Sequence, residues 1–133
     1  MKREKLTKSN FEILERCFSN IIIRVDKTDQ TGMTSKPNVT RKMYTFKNQT
    51  FLSITERYTS DGFIDYYNYD LYDVNEKILM KFHSEPHKDK NYCTKTEPYH
   101  IHKINLLGVE ERLPNYSYKR LSEILELIRF NIE

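Results

Sequence analysis

Alternation of apolar and polar residues dominates the middle of the chain and predicts an antiparallel β-sheet. Strands with one buried face show this two-residue period, often with β-branched and aromatic residues. Between residues 58 and 63, the pair Asp61-Gly62 suits a hairpin turn, because glycine adopts a positive φ without strain. The alternation predicts a meander of about four to five strands, over residues 39–46, 51–58, 63–72, 77–83 and 99–104.

Two other segments show the three- and four-residue spacing of an amphipathic helix. Ser9-Asn10 offers an N-cap, and the apolar positions that follow predict an N-terminal helix from about residue 10 to residue 23. Near the other end, an apolar stripe predicts a C-terminal helix that packs on the sheet. This stripe consists of Leu121, Ile124, Leu125, Ile128 and Ile132. A helix, then antiparallel strands, then a helix is the order expected of an α+β fold.

The remaining segments are polar, and they connect or flank the predicted elements. We expect residues 1–8 to be a charged N-terminal tail and residues 26–38 to be a polar loop, because both lack apolar periodicity. Residues 84–98 also break the pattern, with two prolines and many charges. The chain of 133 residues is the length of one domain, so we expect residues 1–133 to form a single domain.

Composition narrows the class of protein without identifying it. The 22 basic and 19 acidic side chains give a net charge of +3, which permits a nucleic-acid partner but does not require one. The basic N-terminus lacks the apolar core of a signal peptide, and the longest apolar run is far too short to span a membrane. Cys17 and Cys93 are isolated and predict free thiols, so we expect a cytoplasmic protein with no membrane partner.

Candidate chemistry is concentrated in one segment, because all four histidines lie between His83 and His102. Histidine titrates near neutral pH, so one imidazole can accept a proton while another donates one. Such a pair, with lysines holding the phosphate, would cleave RNA through its own 2′-hydroxyl without a metal or another cofactor. The acid–base candidates are His87, His100, His102 and Glu56, and the phosphate-binding candidates are Lys81, Lys88 and Lys103.

Two alternatives use the same region differently. His100 and His102 lie two positions apart on a predicted strand, so both rings point to one face and could share a metal ion. A zinc-type site needs at least three ligands, and the third would be His87, or else His83 or Glu85. In the other alternative the domain does no chemistry and binds a protein or a nucleic acid through a basic, tyrosine-rich sheet face.

Several short motifs resemble those of a known protein family. Glu56 lies near the end of a predicted strand, a tyrosine-rich strand follows, and Pro86-His87 and the segment from Pro98 to His102 come later. With the leucine-rich C-terminal helix, the stretch from about residue 51 to residue 128 resembles the TumE-like family of small prokaryotic toxins from toxin–antitoxin pairs. The resemblance implies a toxin with a cognate antitoxin protein as its partner, but it implies no particular reaction.

The chain departs from that family pattern within the motifs. Lys81, His83 and Ser84 stand where the family has Arg, Asp and Asn, so this chain lacks the family's carboxylate at that position. Lys88 and Tyr99 each replace a histidine.

Overall fold

A computed structural model describes residues 5–84, 99–104, 108–115 and 117–132 of the chain. These residues form an antiparallel sheet of eight strands with two helices, so the α+β class predicted from the sequence is confirmed. In chain order the elements are β1 Leu6–Thr7, α1 Phe11–Cys17, β2 Ile22–Asp26, β3 Val39–Phe46, β4 Phe51–Tyr58, β5 Phe63–Tyr72, β6 Ile78–His83, β7 His100–Ile104, β8 Glu110–Pro114 and α2 Leu121–Ile132.

The sheet is larger than the predicted meander of four to five strands. Strands β2 to β8 lie side by side in chain order, each antiparallel to the next. Strand β1 pairs with the start of β5, where Leu6 lies opposite Ile64. The prediction missed β1 within the charged tail, β2, which overlaps the end of the expected helix, and β8, whose sequence is mostly charged.

The N-terminal helix is shorter than predicted, because it ends at Cys17 and not near residue 23. Its start was predicted correctly, and the Asn10 side chain accepts a hydrogen bond from the Ile13 backbone N–H at 3.2 Å. Three consecutive isoleucines, residues 21–23, follow the helix. Since β-branched side chains are restricted in helices and pack well in strands, this run begins β2.

The two faces of the sheet have different roles because successive side chains of a strand alternate between them. One face, which we call the core face, packs against both helices in a single buried cluster. Helix α2 contributes the predicted apolar stripe to this cluster, so its packing on the sheet is confirmed. The core face includes Leu52, Ile54, Tyr67, Tyr69, Phe82 and Ile101, packed with Phe11 of α1 and with Leu121, Ile124, Leu125 and Ile128 of α2.

The opposite face, which we call the histidine face, is partly covered by residues 26–38. This segment is mainly irregular, and it is anchored to the sheet. The Gln30 backbone N–H donates to Ser53 Oγ at 3.0 Å, and Arg41 Nε lies 3.7 Å from Asp29 Oδ2. The loop therefore borders the polar residues in the middle of that face.

Neither helix in the described part of the chain has the length and hydrophobicity needed to cross a membrane.

Candidate functional site

Three neighbouring strands place polar side chains in two adjacent rows on the histidine face. In one row Asn68 of β5 lies opposite His83 of β6, which lies opposite His100 of β7. In the next row Asp70 lies opposite Lys81, which lies opposite His102. Adjacent strands are about 4.8 Å apart, so this register brings side chains from all three strands into contact range.

His83, His100 and His102 form a compact cluster, which we call the histidine cluster. One ring nitrogen from each lies within 4.8 Å of those of the other two. The ring centroids of His102 are 4.8 Å from both His83 and His100, and His83 and His100 are 5.5 Å apart. His100 is only 1% exposed and His102 is 7% exposed, whereas the His83 side chain is 19% exposed. His83 is therefore the most accessible member of the cluster.

Two carboxylates contact the outer sides of these rings. Oδ1 of Asp70 lies 3.4 Å from Nε2 of His83, and Oδ2 of the same carboxylate accepts a hydrogen bond from the Asn68 amide at 3.2 Å. On the other side, Oε1 of Glu110 contacts Nδ1 of His102. A carboxylate beside one ring nitrogen favours a proton on that nitrogen and leaves the lone pair on the other.

Two polar atoms at the edge of the cluster lack a hydrogen-bond partner within the described part of the chain. His83 Nε2 and Asp70 Oδ1 are buried, and neither has a hydrogen-bond partner among the residues that the structure describes. A buried polar atom without a partner costs about 1–3 kcal/mol, so such atoms usually mark a site for a ligand, an ion or chemistry. Farther along the same face of β5, burial and then the charges of Asp70 and Asp29 raise the pKa of Tyr72.

The predicted phosphate-binding lysines are divided between the two faces. Lys81 lies on the histidine face, between Asp70 and His102 in the register. Lys103 points to the opposite face, where it lines an apolar cleft with residues such as Leu71. The structure therefore brings Lys81, but not Lys103, to the histidine cluster.

Other predicted site residues lie in segments outside the described part of the chain. His87 and Lys88, together with Glu85 and Cys93, lie outside the described residues. The structure therefore tests neither the acid–base role nor the metal-binding role predicted for His87.

Glu56 is buried in the core face, away from the histidine face. The strand register places it opposite Tyr67, and the hydroxyls of Tyr58 and Tyr69 donate to its carboxylate at 3.0 and 2.5 Å. Ser9 completes the site with two more hydrogen bonds, from its backbone N–H and from its hydroxyl. Glu56 thus fastens the N-terminal segment to the sheet, and the structure does not bring it together with the histidines.

Burial and the adjacent Glu56 charge together raise the pKa of Tyr58 and of Tyr69 above the ordinary tyrosine value. Both hydroxyls therefore stay protonated at neutral pH and keep donating to the carboxylate.

Sequence reasoning missed three residues that border the cluster, namely Asn68, Asp70 and Glu110. The sequence did contain a signal for the first two. Asn68 and Asp70 lie two positions apart on their strand, as His100 and His102 do on theirs. This spacing shows that each pair shares a face, but it cannot show which pairs lie opposite each other. Residues 84–98 connect β6 to β7, and their sequence contains no recognisable turn signal from which the register could be predicted.

Comparison with known proteins places the chain in a family. No curated protein and no solved structure shows a significant match to it. The family model described as Toxin TumE matches residues 10–132, nearly the whole chain and more than the predicted stretch of 51–128. The chain therefore belongs to the TumE family of toxins.

Proposed function

We propose that this toxin acts in the cytoplasm by cleaving RNA at the histidine cluster, with imidazoles transferring the protons. Family membership supports the role of a toxin with an antitoxin partner. The observation that carries the rest is the convergence of three imidazoles, from two adjacent strands, on one face of the sheet.

The proposed reaction needs only a base, an acid and a positive charge. The base removes the proton from a ribose 2′-hydroxyl, and the 2′-oxygen attacks the neighbouring phosphorus. The bond from phosphorus to the 5′-oxygen breaks, and that oxygen takes a proton from the acid. The products are a 2′,3′-cyclic phosphate and a free 5′-hydroxyl, so all atoms and protons are accounted for.

The exposure of the side chains supports an assignment of roles. His83 and His102 are the more exposed members of the cluster, so we assign them the base and the acid. His100 is almost fully buried and packs edge-on against both rings, which suits a positioning residue. Lys81 lies opposite His102, where its ammonium group would offset the phosphate charge.

The test compares His83→Gln and His102→Gln with the unchanged protein and with Glu126→Gln, an exposed substitution on α2. Glutamine keeps hydrogen bonding and approximate size but cannot exchange a proton near neutral pH. Since general acid–base catalysis contributes about 10²–10⁴-fold, each histidine substitution should lower the rate of RNA cleavage by that range. Growth arrest without antitoxin should weaken in parallel, while Glu126→Gln retains both activities.

Two results would contradict this proposal. The first is RNA that stays intact with purified protein at concentrations sufficient to arrest growth. The second is normal growth arrest by both histidine variants, which would favour a toxin that acts only by binding. Circular dichroism of each variant shows whether the fold is retained.

A further inference from the structure

We infer that His83, His100 and His102 form a binding site for one divalent transition-metal ion of the zinc class. This inference goes beyond RNA cleavage, because it concerns what the cluster binds when no RNA is present. It uses His83 as the third ligand, in a position that lies within the described structure.

The positions of the ligand atoms support a shared ion. A zinc ion holds imidazole nitrogens at about 2.0–2.1 Å, which places two ligands of a tetrahedral site about 3.4 Å apart. In the structure one ring nitrogen of each histidine already lies within 4.8 Å of one from each of the other two, so side-chain rotations would close the site. Two ligands two positions apart on β7 and a third directly across on β6 give a rigid, three-sided arrangement.

The outer carboxylates provide the second shell that metal-bound histidines usually have. A histidine ligand typically donates its other N–H to a carboxylate, which fixes the ring and raises its basicity. Glu110 contacts Nδ1 of His102, so Nε2 of that ring keeps its lone pair for a metal. Asp70 lies beside Nε2 of His83, which leaves Nδ1 of that ring as the ligand atom.

Binding would also satisfy two polar atoms that the described part of the chain leaves without a hydrogen-bond partner. His83 Nε2 and Asp70 Oδ1 have no hydrogen-bond partner among the described residues, although they are only 3.4 Å apart. With a metal on Nδ1, the proton of His83 must sit on Nε2, and a small rotation turns this contact into a hydrogen bond. Three neutral imidazoles suit zinc, copper, nickel or iron better than magnesium or calcium, which prefer oxygen ligands.

Metal binding has a definite consequence for the proposed RNA cleavage. A nitrogen lone pair that coordinates a metal cannot also accept a proton. We therefore expect the metal-loaded toxin to cleave RNA more slowly than the metal-free toxin, and a chelator to restore the rate.

The direct experiment titrates ZnCl₂ into untagged full-length protein that has been treated with a chelator, using calorimetry. Cys17→Ser and Cys93→Ser are introduced together, because free thiols would bind zinc on their own. The expected result is one zinc ion per chain, with binding abolished in the double variant His100→Gln/His102→Gln. Lys103→Gln, which lies one residue after His102 but on the opposite face, is the matched control and should bind normally.

Glu110→Gln tests the second shell and separates positioning from ligation. It should still bind one ion but about 10–100-fold more weakly, as is typical when an outer-shell partner is lost. Cobalt binding gives an independent readout, because a tetrahedral nitrogen site absorbs visible light and adventitious octahedral binding does so only weakly. If histidine variants unfold, this spectrum on the unchanged protein still tests the site.

The outcomes separate the metal site from RNA cleavage. No stoichiometric zinc binding, or binding that survives loss of both β7 histidines, overturns the metal site and leaves the RNA-cleavage proposal standing. One bound zinc with inhibited cleavage supports both. If zinc binds but cleavage requires it, the site stands and proton transfer by free imidazoles is wrong.

Discussion

Glu56, His100 and His102 are buried ionisable side chains, and His83 is partly buried, but their surroundings differ. The Glu56 carboxylate accepts hydrogen bonds from Ser9, Tyr58 and Tyr69, so its polar atoms are satisfied within the protein. His83 and Asp70, by contrast, leave buried atoms without hydrogen-bond partners in the described part of the chain. A satisfied buried group stabilises a fold, whereas an unsatisfied one is available to bind or react.

Removal of the Glu56 carboxylate should therefore lower stability. Glu56→Ala leaves the Tyr58 and Tyr69 hydroxyls without this buried acceptor, so we expect a loss of about 2–4 kcal/mol in the free energy of unfolding. Urea unfolding measures this loss. Glu56→Gln keeps one acceptor oxygen and should lose less than half as much.

Activity of the same glutamine variant tests the position of Glu56. Because it lies on the core face, Glu56→Gln should retain the growth arrest caused by the unchanged protein wherever the variant is folded. A stable Glu56→Gln protein without toxicity would instead show that Glu56 acts in the chemistry.

The buried tyrosines around Glu56 predict how stability depends on alkaline pH. Burial first, and then the Glu56 charge, raise the pKa of Tyr58 and Tyr69 above 10.0 in the folded protein. Below that pH both residues are neutral in either state, and their contribution to stability is complete. Above it the unfolded chain loses its tyrosine protons first, so the free energy of unfolding should fall as pH rises.

Urea unfolding at pH 8 and at pH 10.5 checks this dependence. Tyr58→Phe removes one of the titrating groups, so its stability should decrease less steeply between the two pH values. An equal decrease in the variant and in the unchanged protein would contradict the assignment to Tyr58.

At the scale of elements, helix α2 has one face in the core and the other in solvent. Leu125 is fully buried, whereas Phe130 is 81% exposed on the same helix. Leu125→Ala should lower the free energy of unfolding by about 2–5 kcal/mol, because it leaves a cavity under the helix. Phe130→Ala removes a larger side chain from solvent and should change stability by less than about 0.5 kcal/mol. Thermal and urea unfolding of the two variants compare them, and equal losses would contradict this packing of α2.

Strands whose own sequence alternates between apolar and polar residues were predictable. Strands that form only because they pair with a neighbouring strand were not. Strands β3, β4 and β5 begin and end at the predicted residues, because turn formers bound each run of alternating residues. Strand β1 has only two residues, and Leu6 becomes a strand residue only because β5 extends beside it. Strand β8 is mostly charged, so its pairing with β7 supplies the structure that its own pattern does not indicate.

At the scale of the whole molecule, one face of the sheet packs into the hydrophobic core and the other carries the histidine cluster. Sequence alone correctly indicated that His100 and His102 share a face, because residues two apart on a strand always do. It grouped Glu56 and Lys103 with them, since neither the register nor the orientation of each strand was known. Lys103 pairs with Met80, and the next pair along the two strands is His102 with Lys81. Because successive side chains alternate between faces, Lys103 lies on the core face when His102 lies on the histidine face.

Lys81 and Lys103 offer a matched test of which face of the sheet binds RNA. Lys81 lies between Asp70 and His102, and Lys103 is one residue after His102 but lies on the opposite face. If RNA phosphate binds at the histidine cluster, Lys81→Ala should reduce RNA cleavage and growth arrest, because a charge next to the phosphate is lost.

Lys103→Ala removes the same charge from the chain, so any general effect of net charge on RNA binding is common to both variants. Cleavage rates at low and moderate salt should therefore differ between the two variants, with Lys103→Ala close to the unchanged protein. Equal losses of cleavage rate would mean that the lysines act only through overall charge. A larger loss for Lys103→Ala would indicate that RNA binds at the core-face cleft.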